Sequence, residues 1–301
     1  MKVTAKPRAL ITGIHGFTGQ YMAAELRAHG WDVMGLGSQA ECGSVPGYYC
    51  ADLLDAASLR NVVAQVRPDA VVHLAGIAFV GHGDADAFYR VNLMGTRNLL
   101  AALAQGEHRP RCVLLASSAN VYGNSTEGVL TEATPAHPAN DYAVSKLAME
   151  HMARLWLERL PIVIARPFNY TGVGQSESFL LPKIVAHYRR RAPTIELGNI
   201  DVWRDFSDVR ALAQAYRRLL EVCPVGATVN VCSGHARSIG EVLNIMSRIS
   251  GYSINVQVNP AYVRASDVRT LCGSNDLLQR LIGGWKTAPL EETLDWMFNA
   301  S

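Results

Sequence analysis

The sequence predicts an α/β fold: a doubly wound parallel sheet with a smaller C-terminal α/β lobe. Three observations lead there. Across residues 8–166, short apolar runs alternate with helical stretches, the pattern of a parallel sheet covered on both faces. Gly13, Gly16 and Gly19 form a G-x-x-G-x-x-G turn between the first apolar run and the first helix. Beyond Arg166 the alternation stops, and a turn-rich loop, Pro167 to Gln175, leads into helices and short strands with no repeating order.

Each element follows in turn. Residues 8–12 read as a short buried strand that runs into the glycine turn, and the helix through Tyr21 and Leu26 begins there. Free backbone N–H groups at such a helix start suit a pyrophosphate, so the arrangement is of the Rossmann type. Residues 32–37 read as the second strand. Residues 70–76 are a third, residues 111–116 a fourth and residues 161–166 a fifth. A helix is expected over residues 85–103, with Asn92 in an apolar setting where its amide can tie strand ends together. His73, inside an apolar strand, reads as a packed core histidine. In the later part, a helix is expected near residues 179–189. Residues 208–223 and 227–232 read as a helix and strand that return to the main sheet. The expected division is a dinucleotide-binding domain over 1–166, joined by 208–232, and a mainly substrate-binding lobe over 167–301.

The glycine turn makes Gly13, His15, Gly16, Phe17, Thr18 and Gly19 candidates for cofactor contact. An NAD-specific site places an acid at the end of the second strand to hold the ribose hydroxyls. Here Gly37-Ser38-Gln39 stands there, so Ser38 argues for NADPH, with NADH possible because no Arg or Lys lies nearby to meet a 2′-phosphate. Asp52 and Leu53 follow the next apolar stretch. They fit an adenine contact, or in the case of Asp52 a turn acid before the helix from Asp55. Leu74, Ala75 and Gly76 end a strand with small side chains, which lets a cofactor approach closely.

Tyr142 and Lys146 lie four residues apart, on one face of a helix. A free phenol is a poor acid near neutrality, and a fixed ammonium beside it is expected to lower its pKa. The pair can then exchange a proton with an alcohol or a carbonyl. Tyr-x-x-x-Lys alone is common, but here it follows an apolar strand that ends in Ser117-Ser118. A hydroxyl at a strand's C-terminal end sits where open α/β sheets bind ligands.

Composition narrows the class. The chain has 301 residues, 49% hydrophobic and 18% charged, with a formal net charge of +2, an ordinary globular mix. That charge is too small to suggest nucleic acid or a membrane surface as partner. Cys42, Cys50, Cys112, Cys223, Cys232 and Cys272 show no C-x-x-C spacing, so reduced thiols in a cytoplasmic protein are expected and no metal site is. The N-terminus moves straight into a strand with no signal peptide, and no apolar run is long enough to cross a bilayer.

Gly13-x-x-Gly16-x-x-Gly19, Ser118 with Tyr142-x-x-x-Lys146, and the divergent C-terminal lobe resemble the extended short-chain dehydrogenase/reductases, in their nucleotide-sugar-modifying branch. Arg166-Pro167-Phe168-Asn169, Gly172-Val173-Gly174-Gln175, the stretch Asn199 to Phe206, and Asn230-Val231-Cys232-Ser233-Gly234 are similar to the GDP-mannose-derived group. The resemblance implies catalytic Ser118, Tyr142 and Lys146, with Tyr142 as proton donor and Ser118 on the substrate oxygen. It implies cofactor contacts from Tyr142, Lys146, Arg166 and Phe168. It implies substrate contacts from Ser118, Asn120, Asn169, Lys183, Arg204 and Arg264. An arginine fork suits a diphosphate; an intramolecular salt bridge is the rival reading for Arg204, which sits between Trp203 and Asp205, and a surface cation for Arg264. Dehydratases of the branch carry acids just before the Val-Tyr-Gly segment, where Ala119 and Asn120 stand here. The implied activity is NADPH-dependent reduction of the C4 keto group of a GDP-linked keto-deoxy sugar. The alternatives are an NAD-retaining 4-epimerase and a non-catalytic dinucleotide sensor. Relatives in the branch dimerise through the Tyr–Lys helix. A homodimer is therefore expected, with Met149, Met152 and Trp156 either at its interface or in the core.

Overall fold

Strands built on nearly continuous apolar runs must be covered on both faces, and that is how the first strands are built. The computed structural model describes residues 6–38, 47–78, 83–123, 128–262 and 269–300. β1 (Arg8–Thr12) is buried from its second residue onward, and β4 (Ala70–His73) along its whole length. With β2 (Asp32–Gly37), β3 (Tyr48–Cys50), β5 (Cys112–Ala116), β6 (Ile162–Pro167) and β10 (Thr228–Val231), they form a seven-stranded sheet ordered β10-β6-β5-β4-β1-β2-β3. Every pairing in it is parallel. The order reverses between β1 and β4. The crevice outside their C-terminal ends is where such sheets take ligands.

Helices cover both faces. α1 (Phe17–Ala28), α7 (Val209–Val222) and α9 (Asp276–Ile282) bury Met22, Leu26, Leu212, Tyr216 and Leu278 in one core layer with Ile11, Val72 and Leu114. α2 (Ala56–Val66), α4 (Thr96–Gln105) and α5 (Asp141–Arg154) bury Leu59, Val63, Leu99, Leu103, Met149 and Ala153 in the other, with Leu10, Val71 and Val113. Asp55 caps α2, its carboxylate accepting from the amides of Ala57 and Ser58.

The expected helix over residues 85–103 is divided. α3 (Ala85–Phe88) leads into a π-helical segment over Tyr89–Gly95, and α4 follows. A π turn is wider than an α turn and recurs at functional sites. Gly95 needs the close fit there, because a Cβ would come within 2.8 Å of the Leu53 Cβ. The third strand is also shorter than expected. After His73 the chain leaves the sheet, and the amides of Leu74 and Ala75 bond the Thr12 hydroxyl at 3.2 and 3.1 Å.

The remaining chain packs around its own core of Leu181, Ile184, Phe206, Val242, Met246 and Leu294. It contains β7 (Asn169–Thr171), α6 (Leu180–Arg189), β8 (Thr194–Leu197), β9 (Trp203–Asp208), β11 (Ala236–Ser238), α8 (Ile239–Ser250), β12 (Asn255–Val258), β13 (Thr270–Leu271) and α10 (Leu290–Asn299). β9 is the hub, pairing with β7, β11 and β13. Between these elements α7 and β10 go back to the large sheet, where β10 lies beside β6. Among the described residues no helix is long and apolar enough to cross a membrane.

Candidate active site

The glycine turn brings two strand ends together. The Gly13 amide donates to the Leu36 carbonyl of β2 at 2.7 Å, and a Cβ on Gly13 would meet the Ala75 nitrogen at 2.9 Å. Gly13 has φ +71°, so a side chain there would be both strained and obstructed. Gly19 lets the first helical turn lie on the loop, since its Cβ would come within 2.2 Å of the Gly13 carbonyl oxygen. α1 is capped by Gly16 with no side-chain hydrogen bond, which leaves its first-turn amides facing outward. Thus Gly13, Gly16, Gly19, Leu74, Ala75 and Gly76 surround one crevice, and a dinucleotide pyrophosphate fits this cradle of backbone amides. His15 packs against the Tyr48 ring with centroids 4.6 Å apart. Ser38 is exposed at the end of β2. Leu53 is buried against Gly95, and the Asp52 carboxylate accepts from the Leu54 amide at 2.9 Å, which is the turn-acid reading.

α5 supplies the reactive side chains. Asn140 caps it through the Ala143 amide, and Tyr142 and Lys146 both fall on its buried face. Lys146 Nζ donates to the carbonyl oxygen of Ala116, the last residue of β5, at 2.8 Å. Ser118, two residues on, hydrogen-bonds Tyr142. Its Oγ also accepts from both the backbone amide and the Nδ2 of Asn120, each at 3.1 Å. With both lone pairs taken, the single Ser118 hydroxyl proton is the one that meets Tyr142. Gly76 closes the other side, where a Cβ would lie 3.5 Å from Lys146 Nζ and 2.8 Å from Asn92 Oδ1. Asn92 joins the Ile77 backbone, at both its N–H and its C=O, to the Ser145 hydroxyl of α5. It ties the loop after β4 to α5, rather than two strand ends as expected.

The electrostatics differ from the sequence expectation. Burial pushes the Tyr142 phenol up to about 12, with Ser118 acting the other way and Tyr170 adding to the rise. Burial pulls Lys146 down to about 8, with Glu150 opposing. Near neutral pH the site therefore holds a protonated phenol and an ammonium. His73 is a core residue, bonded to Thr12 at 2.7 Å and Thr96 at 2.8 Å and held neutral by burial, which takes its pKa down to about 3.

A family model described as GDP-mannose 4,6-dehydratase matches residues 10–297. The chain belongs to that family. It sits within the extended short-chain dehydrogenase/reductases. It is 36% identical over 290 residues to GDP-6-deoxy-D-mannose reductase of Pseudomonas aeruginosa, covering 93% of this chain and 91% of that protein. It is 32% identical over 279 residues to GDP-6-deoxy-D-talose 4-dehydrogenase of Aggregatibacter actinomycetemcomitans, covering 92% and 91%. Among solved structures, RMD from Pseudomonas aeruginosa complexed with NADPH superposes with TM-score 0.86 at 34% identity, over 97% of this chain and 98% of that one. A Burkholderia cenocepacia protein provisionally described as an epimerase superposes with TM-score 0.93 at 55% identity, over 98% of each chain.

Within this dehydratase-family frame, several expected ligands have other partners. Arg166 is 5% exposed and its guanidinium is bound to Glu150, so its role differs from the direct cofactor contact expected. Phe168 is buried against Tyr122 in a small apolar cluster behind the site. Asn169 is exposed, and its Nδ2 reaches the Asp205 carbonyl at 3.3 Å. Lys183 donates to the Glu196 carbonyl at 2.7 Å and lies 4.7 Å from the Tyr262 ring centroid. Arg204 and Asp205 do not pair with each other. Neighbours on a strand point to opposite faces. The buried Asp205 carboxylate instead binds Ser233 and the Gly234 amide, while Arg204 donates to the Trp203 carbonyl at 2.9 Å. Arg264 lies outside the described residues. Met149 is core, 1% exposed, and Met152 and Trp156 pack against the same layer.

Three residues beside the site, Tyr170, Ser117 and Glu150, gave no motif signal of their own. Tyr170 bonds Thr18 at 2.8 Å and stacks on Phe17, joining the cofactor turn to β7. Ser117 and Glu150 lie directly under the reactive pair, 2.5 Å apart. Only the spacing of Glu150, one further turn beyond Lys146, hints at its position.

Proposed function

We propose that the protein is an NADPH-dependent ketoreductase that converts the C4 carbonyl of a GDP-4-keto-6-deoxyhexose to the alcohol, as in GDP-D-rhamnose. The observation that carries this reading is the convergence of Ser118, Tyr142 and Lys146 on one crevice, with the Tyr142 proton retained to about 12. A nicotinamide held in this crevice would supply the hydride for the sugar carbonyl. Tyr142 gives its proton to the oxygen as negative charge develops there. Ser118, its lone pairs held by Asn120, turns its one proton from Tyr142 to donate a second hydrogen bond to the same oxygen. The Lys146 ammonium stabilises the phenolate left behind.

The exposed Ser38 in place of an acid supports NADPH, as does the NADPH complex of the P. aeruginosa structure. Ala119 and Asn120 carry no carboxyl group, which weighs against a dehydratase despite the family description. The curated relatives above favour a GDP-linked substrate. On this reading the enzyme works as a cytoplasmic homodimer. Leu155, 81% exposed, and Val144, 38% exposed, give α5 an uncovered apolar strip that a second copy would bury.

The test is incubation with GDP-4-keto-6-deoxy-D-mannose and NADPH, with NMR of the sugar product. Tyr142→Phe is expected to lower turnover by about 10²–10⁴-fold while NADPH still binds; unchanged turnover refutes the assignment. A second reading, an NAD-retaining 4-epimerase, draws on the B. cenocepacia neighbour. It requires NAD bound on purification and no net consumption of NADPH.

A further inference from the structure

We propose that Glu150 is the positioning residue of the reactive set, clamped by Arg166 so that it locks the end of β5 in register with the helix face bearing Tyr142 and Lys146. The proposal rests on the assignment of Tyr142 and Lys146 to proton transfer.

Tyr142, Lys146 and Glu150 follow one another at four-residue intervals, so they form one stripe along α5. Three consecutive residues leaving β5 are fastened to that stripe. The Ala116 carbonyl accepts from Lys146 at 2.8 Å, the Ser117 hydroxyl donates to Glu150 Oε1 at 2.5 Å, and Ser118 bonds Tyr142. Ser118 therefore meets Tyr142 only while Ser117 is held one residue earlier. Glu150 is in turn fixed from β6, where Arg166 Nε donates to Oε1 at 2.9 Å and Nη2 to Oε2 at 2.6 Å. Arg166 lies over the Tyr122 ring, 4.9 Å from its centroid. The Tyr122 hydroxyl donates to Asn230 Oδ1 of β10 at 2.7 Å. The clamp thus links α5, β5, β6 and β10.

A buried ion pair often adds little net stability compared with an apolar substitute. Glu150 is 1% exposed and Arg166 5%, so this pair is deeply buried. Its placement makes sense by what it orients and by its charge. The titratable groups that act on Lys146 are Glu150 of its own helix and His73 of β4, which is neutral, while Arg166 of β6 pairs with Glu150. Glu150 is thus the negative charge that favours the ammonium against burial.

The experiment compares kcat against pH for Glu150→Gln and for the double variant Glu150→Gln/Arg166→Gln, with NADPH and GDP-4-keto-6-deoxy-D-mannose as probe. Glutamine keeps an acceptor for Ser117 and removes the charge. The double variant leaves no orphaned guanidinium and preserves folding, checked by near-UV circular dichroism. The alkaline limb of the profile is expected to move down by about one pH unit, giving about a tenfold loss at pH 9 and less than about a threefold loss at pH 6. Ser117→Ala, which leaves the ion pair intact, is expected to lower kcat about tenfold with the limb unmoved. A uniform loss across pH in the glutamine variants, or full kcat in Ser117→Ala, overturns the proposal. Tyr142→Phe assayed in parallel separates the two levels: if it alone loses turnover, only the positioning role fails; if it keeps turnover, the catalytic reading itself fails.

Discussion

Gly19→Ala tests whether the crevice depends on the helix start lying against the turn. A Cβ at this position would stand 2.2 Å from the Gly13 carbonyl oxygen and 2.7 Å from two backbone atoms of Ile14. All three neighbours are main chain, so no side chain can rotate away. Reaching an ordinary separation requires α1 to retreat from the turn by about 1 Å, with an overpacking cost of about 2–3 kcal/mol. At about 2 °C per kcal/mol for a chain of this size, Tm falls by about 4–6 °C. The same retreat carries the first-turn amides off the pyrophosphate, and NADPH affinity is expected to fall about 100-fold, equivalent to about 2.7 kcal/mol. Thermal unfolding and titration of NADPH fluorescence read the two effects. Gly16→Ala is the internal control. Its Cβ would lie 3.1 Å from the Gly13 oxygen and its φ is −69°, so the cost should stay below about 1 kcal/mol. If Gly19→Ala matches wild type in both Tm and Kd, the close-approach argument is wrong.

Two further predictions concern stability. His73 has its folded pKa depressed to about 3 by burial, so below its unfolded value the unfolded chain binds the extra proton. Stability is therefore lost as pH falls from about 6.5 toward 3, at about 1.4 kcal/mol per unit from this residue; denaturant titrations of His73→Gln should show that slope reduced, and an unchanged slope would contradict the burial argument. Gly240 sits in the first turn of α8, where a Cβ would touch only the Ser238 hydroxyl at 3.7 Å. Gly240→Ala should add about 0.5–1 kcal/mol by restricting the unfolded chain, seen as a rise of about 1–2 °C in Tm.

The parts of the molecule readable from sequence are those fixed by local chemistry. β1, the glycine turn and β2 begin and end where apolar runs and glycines place them. The Tyr142–Lys146 stripe follows from helical spacing alone. The returning segment was legible too, because residues 208–223 carry a cap and a helical apolar face and residues 227–232 a buried run. What escaped depends on distant neighbours. The π-helical turn around Asn92 packs against Leu53 and Gly76, far off in sequence. Arg166 looks like any cofactor-facing arginine until Glu150 is seen beneath it. The direction of the Tyr142 shift was misread because proximity to Lys146 along the helix said nothing of how deeply the phenol is buried or where the amine points.

The late arrival of β10 bears on how the chain is made. Until residue 231 has left the ribosome, β6 remains an open edge whose hydrogen-bonding groups on the side away from β5 have no neighbour. A nascent or truncated chain stopping near residue 166 would present that apolar rim to other molecules, with self-association as its natural fate. Splitting the gene at the apparent boundary between the halves would therefore not yield a soluble nucleotide-binding fragment; a fragment must carry α7 and β10 with it.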